Sequence, residues 1–191
     1  MPRVSQDHLD ARRWQILDGA RAAFARHGYE GATVRVLEEE IGLSRGAIFH
    51  HFPDKAALFM ALAVEDAQEM ADTVAAQGLV QVMRNLIADP NPGWLGTQLE
   101  VSRRLRTDDE FRGGWAARAE AIRTATRARL ARQRDAGLLR SDVDIDVLTA
   151  YLELFLTGLV SHLAAGLPTS DLSSVLDLVE SSVRETGLIR G

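Results

Sequence analysis

Residues 44–55, SRGAIFHHFPDK, constrain the fold of this chain more than any other stretch. Ser44 can cap a helix, the residues after it can form two helical turns, and Pro53 marks the exit. Just upstream, residues 33–43 have the pattern of an amphipathic helix closed by Gly42. Two short helices joined by a glycine-containing turn are typical of a helix-turn-helix, which places its second helix in the DNA major groove. The pattern therefore predicts a DNA-binding regulator.

Helical periodicity runs through almost the whole chain, and no clear strand pattern interrupts it. The predicted fold is all-α, with a three-helix helix-turn-helix head at residues 1–55 and a ligand-binding and dimerisation body at residues 56–191. The fourth helix belongs to both halves. Glycines and prolines divide the pattern into about nine helices, at residues 10–27, 34–41, 45–52, 54–76, 78–88, 94–105, 108–136, 145–163 and 172–185.

Composition narrows the classes of function. Cysteine is absent, which excludes a disulfide framework, a thiolate nucleophile and a cysteine-based zinc site. The N-terminus lacks the apolar core of a signal peptide, and no apolar run is expected to reach membrane-spanning length, so we expect a cytoplasmic protein with no membrane partner. The net charge of −5 lies in the body, because residues 1–55 hold 8 basic and 8 acidic residues. DNA binding is therefore expected to rest on a few placed contacts.

The spacing within the two short helices predicts which residues meet DNA. Ile48 and Phe52 are four positions apart and can point inward together with Leu37 and Ile41. The residues left for base edges are Arg45, Gly46, Phe49 and His50, with Arg35 as a second candidate. The residues expected to flank the groove near phosphates are Thr33, Ser44, His51 and Lys55.

Each of these residue types suits its position. Arg45 can pair with guanine O6 and N7, Gly46 allows close backbone approach, and the Phe49 ring can pack on a thymine methyl group. Phe49 also has an alternative place in the core, and His50 and His51 are also typical of a solvent-facing surface. Two neighbouring histidines do not share a helix face, so they do not form a metal site.

An enzyme is the competing class. Carboxylates cluster in Glu38–Glu40 and in the series Asp142, Asp144 and Asp146. The second series lacks the glycine and the distal glutamate of an EF-hand loop, and a loop with a helix N-cap explains it. We therefore predict no enzymatic activity.

Residues 145–163 are apolar on more than one face, which predicts burial against a second subunit together with the last helix. The alternative is a buried helix of a monomer. At 100° per residue, Arg129 falls on the apolar stripe of the seventh helix while Arg127 faces away, and Glu180 lies at the edge of the apolar face of the last helix. A cation on a buried face needs an anionic ligand or an internal carboxylate.

The segment HGYEGATV…EEEIGLSRGAIFHHFPDKAALF resembles the N-terminal domain of TetR-family repressors. The family's aromatic, hydroxyl, turn, core and phosphate-contacting positions match Tyr29, Thr33, Gly42, Ser44, Gly46, Phe52, Lys55 and Leu58. Phe49 stands where most members have tyrosine. The resemblance implies an all-helical homodimer that leaves a double-stranded DNA operator when a small molecule enters the C-terminal domain.

Within that family, segments including GLV…VMR, LE…S…LRTD and VLDLVE resemble actinobacterial repressors of aconitase genes. That resemblance implies citrate, carried as its Mg²⁺ complex, as the effector. Arg129 would pair with a citrate carboxylate, and Glu180 would reach Mg²⁺ directly or through water. The further ligand-binding candidates are Arg103, Arg104, Trp115 and His162. Two alternatives remain open: an iron response through carboxylates and histidine, and a regulator of efflux that binds an apolar molecule.

Overall fold

The structure is a computed structural model that describes the backbone of residues 6–184 and the side chains of residues 9–116 and 120–184. These residues contain nine α-helices and no extended strand. The helices are α1 (Gln6–Gly31), α2 (Val34–Ile41), α3 (Arg45–His51), α4 (Lys55–Gln77), α5 (Leu79–Ala88), α6 (Pro92–Thr107), α7 (Asp109–Asp135), α8 (Ile145–Ala164) and α9 (Leu172–Val183).

The predicted helix boundaries agree with these to within a few residues. The bounds of α2 coincide with the prediction. The expected end of α1 falls at Gly28, where the backbone leaves the helical region (φ 67°, ψ 174°) before one more turn ends at Gly31. The third helix ends at His51, one residue earlier than predicted, because Phe52 is extended.

The helix-turn-helix forms for the reasons that its sequence indicates. Gly42 adopts the left-handed conformation (φ 71°, ψ 29°) that the turn after α2 requires and that glycine reaches without steric cost. The Ser44 Oγ then accepts a hydrogen bond from the Ala47 N–H at 3.4 Å, capping α3. The predicted inward residues Leu37, Ile41, Ile48 and Phe52 are all buried.

The described chain divides into two compact units. Unit 1 comprises Met1–Asp66 and Pro92–Trp115, and unit 2 comprises Ala67–Asn91 and Ala116–Gly191. Helices α4 and α7 each contribute residues to both units. The functional division at residue 55 stays a prediction.

In unit 1, α1 packs against α2 and α6. An aromatic cluster fills the centre of this unit, where Phe59 makes edge contacts with Phe24 and Tyr29 and lies 5.7 Å from Phe111 between ring centroids. Helix α3 in turn packs against α2, which connects the helix-turn-helix to α1.

In unit 2, α5 packs against α8 and α9. The segment after α7 also pairs with the end of α9 through an isolated antiparallel bridge between Leu139 and Arg184. The Arg140 N–H donates to the Val183 carbonyl at 3.1 Å within this pairing. A single bridge leaves no alternating pattern in the sequence, which explains why it was not predicted.

Helix α8 corrects one expectation. Its 20 residues are long and apolar enough to cross a membrane by length and composition, although no segment of that kind was predicted. Only 28% of the apolar window is buried within the described chain. One such helix is weak evidence for a membrane span, because core and interface helices meet the same criterion.

Candidate nucleic-acid interface and effector cavity

The outer face of α3 carries the residues predicted to read bases. Arg45, Gly46 and His50 are exposed and Phe49 is partly buried, whereas Ile48 on the opposite face is fully buried. The Glu38 carboxylate accepts a hydrogen bond from the Arg45 backbone N–H at 2.6 Å, which joins α2 to the first turn of α3. This arrangement offers a cation and an aromatic edge to a DNA groove.

The candidate phosphate contacts lie at the starts of α2 and α3. The Thr33 and Ser44 hydroxyls both accept N-cap hydrogen bonds and keep their own O–H groups for a phosphate oxygen. Arg35 forms an exposed ion pair with Glu39 at 2.9 Å, and its side chain is 87% exposed. An exposed pair of this kind contributes little stability, so it does not prevent the base contact predicted for Arg35, which stays a prediction.

Lys55 is engaged within unit 1. Its Nζ donates a hydrogen bond to the Tyr29 carbonyl at 2.9 Å and lies 4.4 Å from the centroid of the Tyr29 ring. His51 is partly buried, and its ring meets the His50 ring edge-on at 5.6 Å. The contacts of both residues with phosphate stay predictions.

A cavity of about 470 Å³ lies within unit 2. Both principal ligand candidates, Arg129 and Glu180, line it, so the structure brings together two side chains that are 51 positions apart in sequence. The other charged residues on its wall are Arg84 and Arg184. The remaining lining residues are uncharged: Gln77, Gly78, Leu79, Val80, Gln81, Thr126, Leu130, Gln133, Leu138, Leu139, Leu152 and Val183.

Arg129 closes the C-terminal end of α4. Its Nη1 donates hydrogen bonds to the carbonyls of Ala75 at 3.1 Å and Ala76 at 2.9 Å, and its Nε is buried without a hydrogen-bond partner. Gly78 lets the guanidinium approach: it has φ of +90°, and a Cβ atom there would lie 2.6 Å from the Arg129 Nε. A cation with an unsatisfied donor on a cavity wall is suited to an anionic ligand.

Glu180 is held by two arginines other than Arg129. Its Oε2 accepts from Arg84 Nη2 at 2.8 Å, and its Oε1 pairs with Arg184. The hydrogen bond from Arg84, followed by that from Arg184, holds the pKa of Glu180 below its ordinary value despite partial burial. Glu180 therefore forms an internal ion pair, which was the alternative to an anionic ligand in the sequence analysis. Arg129 is not part of that ion pair and has no carboxylate partner among the described residues of the cavity wall.

Sequence reasoning missed Arg84 and Arg184 as cavity residues. The spacing of Glu180 and Arg184, four positions apart on one helix face, was a usable signal for Arg184. No local signal marks Arg84, because it lies 96 positions from Glu180.

The four further ligand-binding candidates do not line this cavity. The Arg104 guanidinium lies 3.9 Å from the Tyr29 ring centroid and pairs with Asp108. Arg103 pairs with Glu100, Trp115 is buried against the Phe111 ring, and His162 Nε2 hydrogen-bonds the Pro168 carbonyl at 2.8 Å. Arg103, Arg104 and Trp115 belong to unit 1, and the Arg104 Nη1 is buried there without a hydrogen-bond partner.

The side chains on the cavity wall determine which kind of metal ion the cavity can hold. Within the described residues, no three His, Asp or Glu side chains come together as a metal site. Among the described residues that line the wall, Glu180 is the single carboxylate. Mg²⁺ commonly keeps several waters and binds through one or two carboxylates plus a ligand's own oxygens. The residues therefore fit an Mg²⁺ ion that arrives with an anionic ligand and do not fit a resident metal.

Comparison with known proteins identifies the family. The pattern of bacterial regulatory proteins of the tetR family matches residues 16–62. The HTH-type transcriptional repressor Rv1474c of Mycobacterium tuberculosis is 55% identical over 187 residues, which cover 97% of this chain and 100% of that protein. The chain belongs to the TetR family.

Further relatives extend this result. The HTH-type transcriptional repressor AcnR of Corynebacterium diphtheriae is 54% identical over 187 residues, covering 97% of this chain and 98% of that protein. Salmonella enterica GusR shares the fold, with a TM-score of 0.77 at 19% identity over 95% of this chain and 98% of that one.

These findings confirm the predicted family, the all-α fold and the resemblance to the AcnR group. They also confirm the non-enzymatic class, because the close relatives are transcriptional repressors. Regulators of this family bind DNA operators through a helix-turn-helix. The DNA contacts of the exposed face of α3 stay a prediction for this chain.

Proposed function

We propose that this protein is a cytoplasmic homodimeric repressor of an aconitase gene that citrate carried with Mg²⁺ releases from its operator. The kinship with AcnR proteins supports the target gene. The charge of the cavity in unit 2 supports the chemical class of the effector. Three arginines and one glutamate on its wall leave a net positive site of about 470 Å³, suited to a small polyanion.

Arg129 supplies the main contact with the anion in this proposal. Its Nε has no partner in the cavity, and its Nη1 bonds are to neutral carbonyl groups. A carboxylate forms shorter and stronger hydrogen bonds with a guanidinium than a carbonyl does. Citrate is therefore expected to draw Arg129 away from the end of α4.

The same contact suggests how the signal reaches DNA. The recognition helix α3 ends at His51 and α4 begins at Lys55, so one continuous helix runs from the DNA-reading segment to the carbonyls that Arg129 contacts. Arginine at a helix C-terminus stabilises the last carbonyls. A carboxylate that Arg129 holds beside these carbonyls would repel them and shift the end of α4, and the position of α3 would respond through the same helix.

The exposed apolar residues of unit 2 support a homodimer. Val147, Tyr151 and Leu154 form one stripe along α8, and Leu178 on α9 is 70% exposed. The Ser182 Oγ hydrogen-bonds Tyr151 Oη at 3.3 Å, which places the two helices side by side. A continuous apolar surface on adjacent helices is typical of a symmetric interface.

The cavity argues against the two alternatives. An apolar effector would leave the charge of Arg129 without an anionic partner, while Arg84 and Arg184 keep Glu180 and Asp177 as theirs. A resident iron ion lacks a ligand cluster within the part of the chain that the structure describes.

Isothermal titration calorimetry with citrate tests the effector. We expect saturable binding of citrate in the presence of Mg²⁺, and release of a promoter fragment from upstream of an aconitase gene at the same concentrations. No binding of citrate with or without Mg²⁺ would contradict the proposed effector. Release by an uncharged apolar compound instead would favour the efflux alternative.

A further inference from the structure

We propose that Glu180 is an internal counter-ion that keeps Arg84 and Arg184 occupied until a divalent cation displaces them. In this view the cation enters with the effector, takes over the Glu180 carboxylate, and releases both guanidinium groups from Glu180 so that they can bind the effector's own carboxylates. The inference rests on the proposed anionic effector and explains why such an effector would require a metal ion.

The first part of the inference follows from the hydrogen bonds of the Glu180 carboxylate. Its two carboxylate oxygens are divided between two arginines, with Oε2 accepting from Arg84 and Oε1 from Arg184. All three side chains line the same cavity in unit 2. Arg84 also pairs with Asp177 at 2.7 Å, but Asp177 does not line the cavity and its side chain is 69% exposed. Glu180 is thus the anion that neutralises both arginines on the cavity side.

The second part of the inference follows from the charges on the cavity wall. While Glu180 is paired with Arg84 and Arg184, the buried atoms of the described wall residues that have no hydrogen-bond partner are Arg129 Nε and Thr126 Oγ1, and Arg129 is the charged one of the two. A polyanion that enters without a metal meets the like charge of Glu180 and competes with it for the same guanidinium groups. A divalent cation reverses this, because it attracts Glu180 and the polyanion together.

Cation and polyanion therefore bind with positive coupling. Each removes a charge that opposes the other, so the affinity for one rises when the other is present, and by the same factor in both directions. The freed arginines would hold the effector from two sides of the cavity, since Arg84 lies on α5 and Arg184 on the segment after α9. This assigns Arg84 and Arg184 to effector binding together with Arg129.

The substitution Glu180→Gln tests this exchange. The amide keeps the shape of the side chain but removes the charge, so Arg84 and Arg184 lose their shared carboxylate partner on the cavity wall without any metal, and Arg84 keeps only its contact with Asp177. In calorimetric titrations with citrate in EDTA, we expect the variant to bind at least about tenfold more tightly than the wild type. We also expect added Mg²⁺ to raise the affinity of the wild type and not that of the variant.

Asp177→Asn is the matched control. It changes the net charge by the same amount, on the same helix and at a partner of the same Arg84, but outside the cavity wall. Its affinity for citrate in EDTA should equal that of the wild type. Equal gains in both variants would overturn the inference, because the gain would then follow from net charge alone.

A second pair of variants covers the case in which Glu180→Gln does not fold. Arg84→Gln and Arg184→Gln should each weaken citrate binding in Mg²⁺ at least about tenfold, and unchanged binding in both would overturn the inference. A wild type that fails to bind citrate with Mg²⁺ contradicts the proposed effector. Independently of that outcome, the arginine release is contradicted if Glu180→Gln binds citrate in EDTA no better than the wild type.

Discussion

Arg45 and Arg129 show what the type and spacing of single residues can predict. The side of α3 that faces outward follows from the burial of Ile48, and a count of 100° per residue placed Arg129 on the inner stripe of α7. Arg84 could not be found in this way, because its contact with Glu180 depends on how α5 packs against α9. Local periodicity predicts the face of a helix, and tertiary packing decides its partner.

Replacing Arg45 by alanine tests the base-reading assignment. The expected loss is about 1–3 kcal/mol of binding free energy for operator DNA, because one bidentate contact with guanine disappears. Fluorescence anisotropy with the aconitase promoter fragment measures the affinity, and thermal melting should be unchanged since the side chain is exposed. Arg127→Ala, which removes an exposed arginine from α7, is the control. Equal affinity of the Arg45 variant and the wild type would contradict the assignment.

Glu180 should also give the protein an acid-sensitive contribution to stability. Its pKa is lowered in the folded state, first by the hydrogen bond from Arg84. The contribution is therefore present above the ordinary glutamate pKa of about 4.3 and is lost as the pH falls through the lower folded value. Between pH 7 and pH 3.5, the melting temperature of the wild type should fall by more than that of Glu180→Gln. Parallel declines would show that the ion pairs add no net stability.

Helix boundaries were the most predictable elements of the fold. Capping residues and breakers mark them in the sequence, as where the Asp54 carboxylate accepts from the Ala57 N–H at 2.7 Å at the start of α4. The bridge between Leu139 and Arg184 and the ring contacts of Arg104 escaped prediction, since each joins distant segments that carry no shared pattern.

The junction of α4 and α5 offers a test of this part of the structure. Gly78→Ala should lower the free energy of unfolding by about 1–3 kcal/mol, because φ of +90° is strained for alanine. The new methyl group would also meet the Arg129 Nε, so citrate binding should weaken. Chemical denaturation and calorimetry measure the two effects. Gly113→Ala, where a Cβ atom meets nothing within 4 Å, should be neutral or slightly stabilising. If Gly78→Ala and Gly113→Ala had the same stability and the same affinity for citrate, the described conformation of the junction between α4 and α5 would be contradicted.

At the scale of the whole molecule, the exposed apolar stripe on α8 predicts the oligomeric state of the protein. The sequence predicted a second subunit from the excess of apolar residues in this helix, and the exposure of Leu154 at 74% supports that reason. Leu154→Glu should yield a monomer in sedimentation velocity at micromolar concentrations, because the interface would bury an unpaired charge. Leu99→Glu, at an exposed position on α6 of unit 1, should remain dimeric. A wild type that sediments as a monomer would contradict the proposed dimer.

The central claim is that Arg129 leaves the carbonyl groups at the end of α4 and binds a carboxylate of the effector. Its most direct test is fluorescence anisotropy of the aconitase promoter fragment with the wild type and with Arg129→Ala, each titrated with citrate in Mg²⁺. We predict that citrate releases the wild type, while Arg129→Ala binds the fragment with ordinary affinity and stays bound at every citrate concentration. Arg127→Ala should respond like the wild type. Release of Arg129→Ala at the same citrate concentration as the wild type would contradict the account.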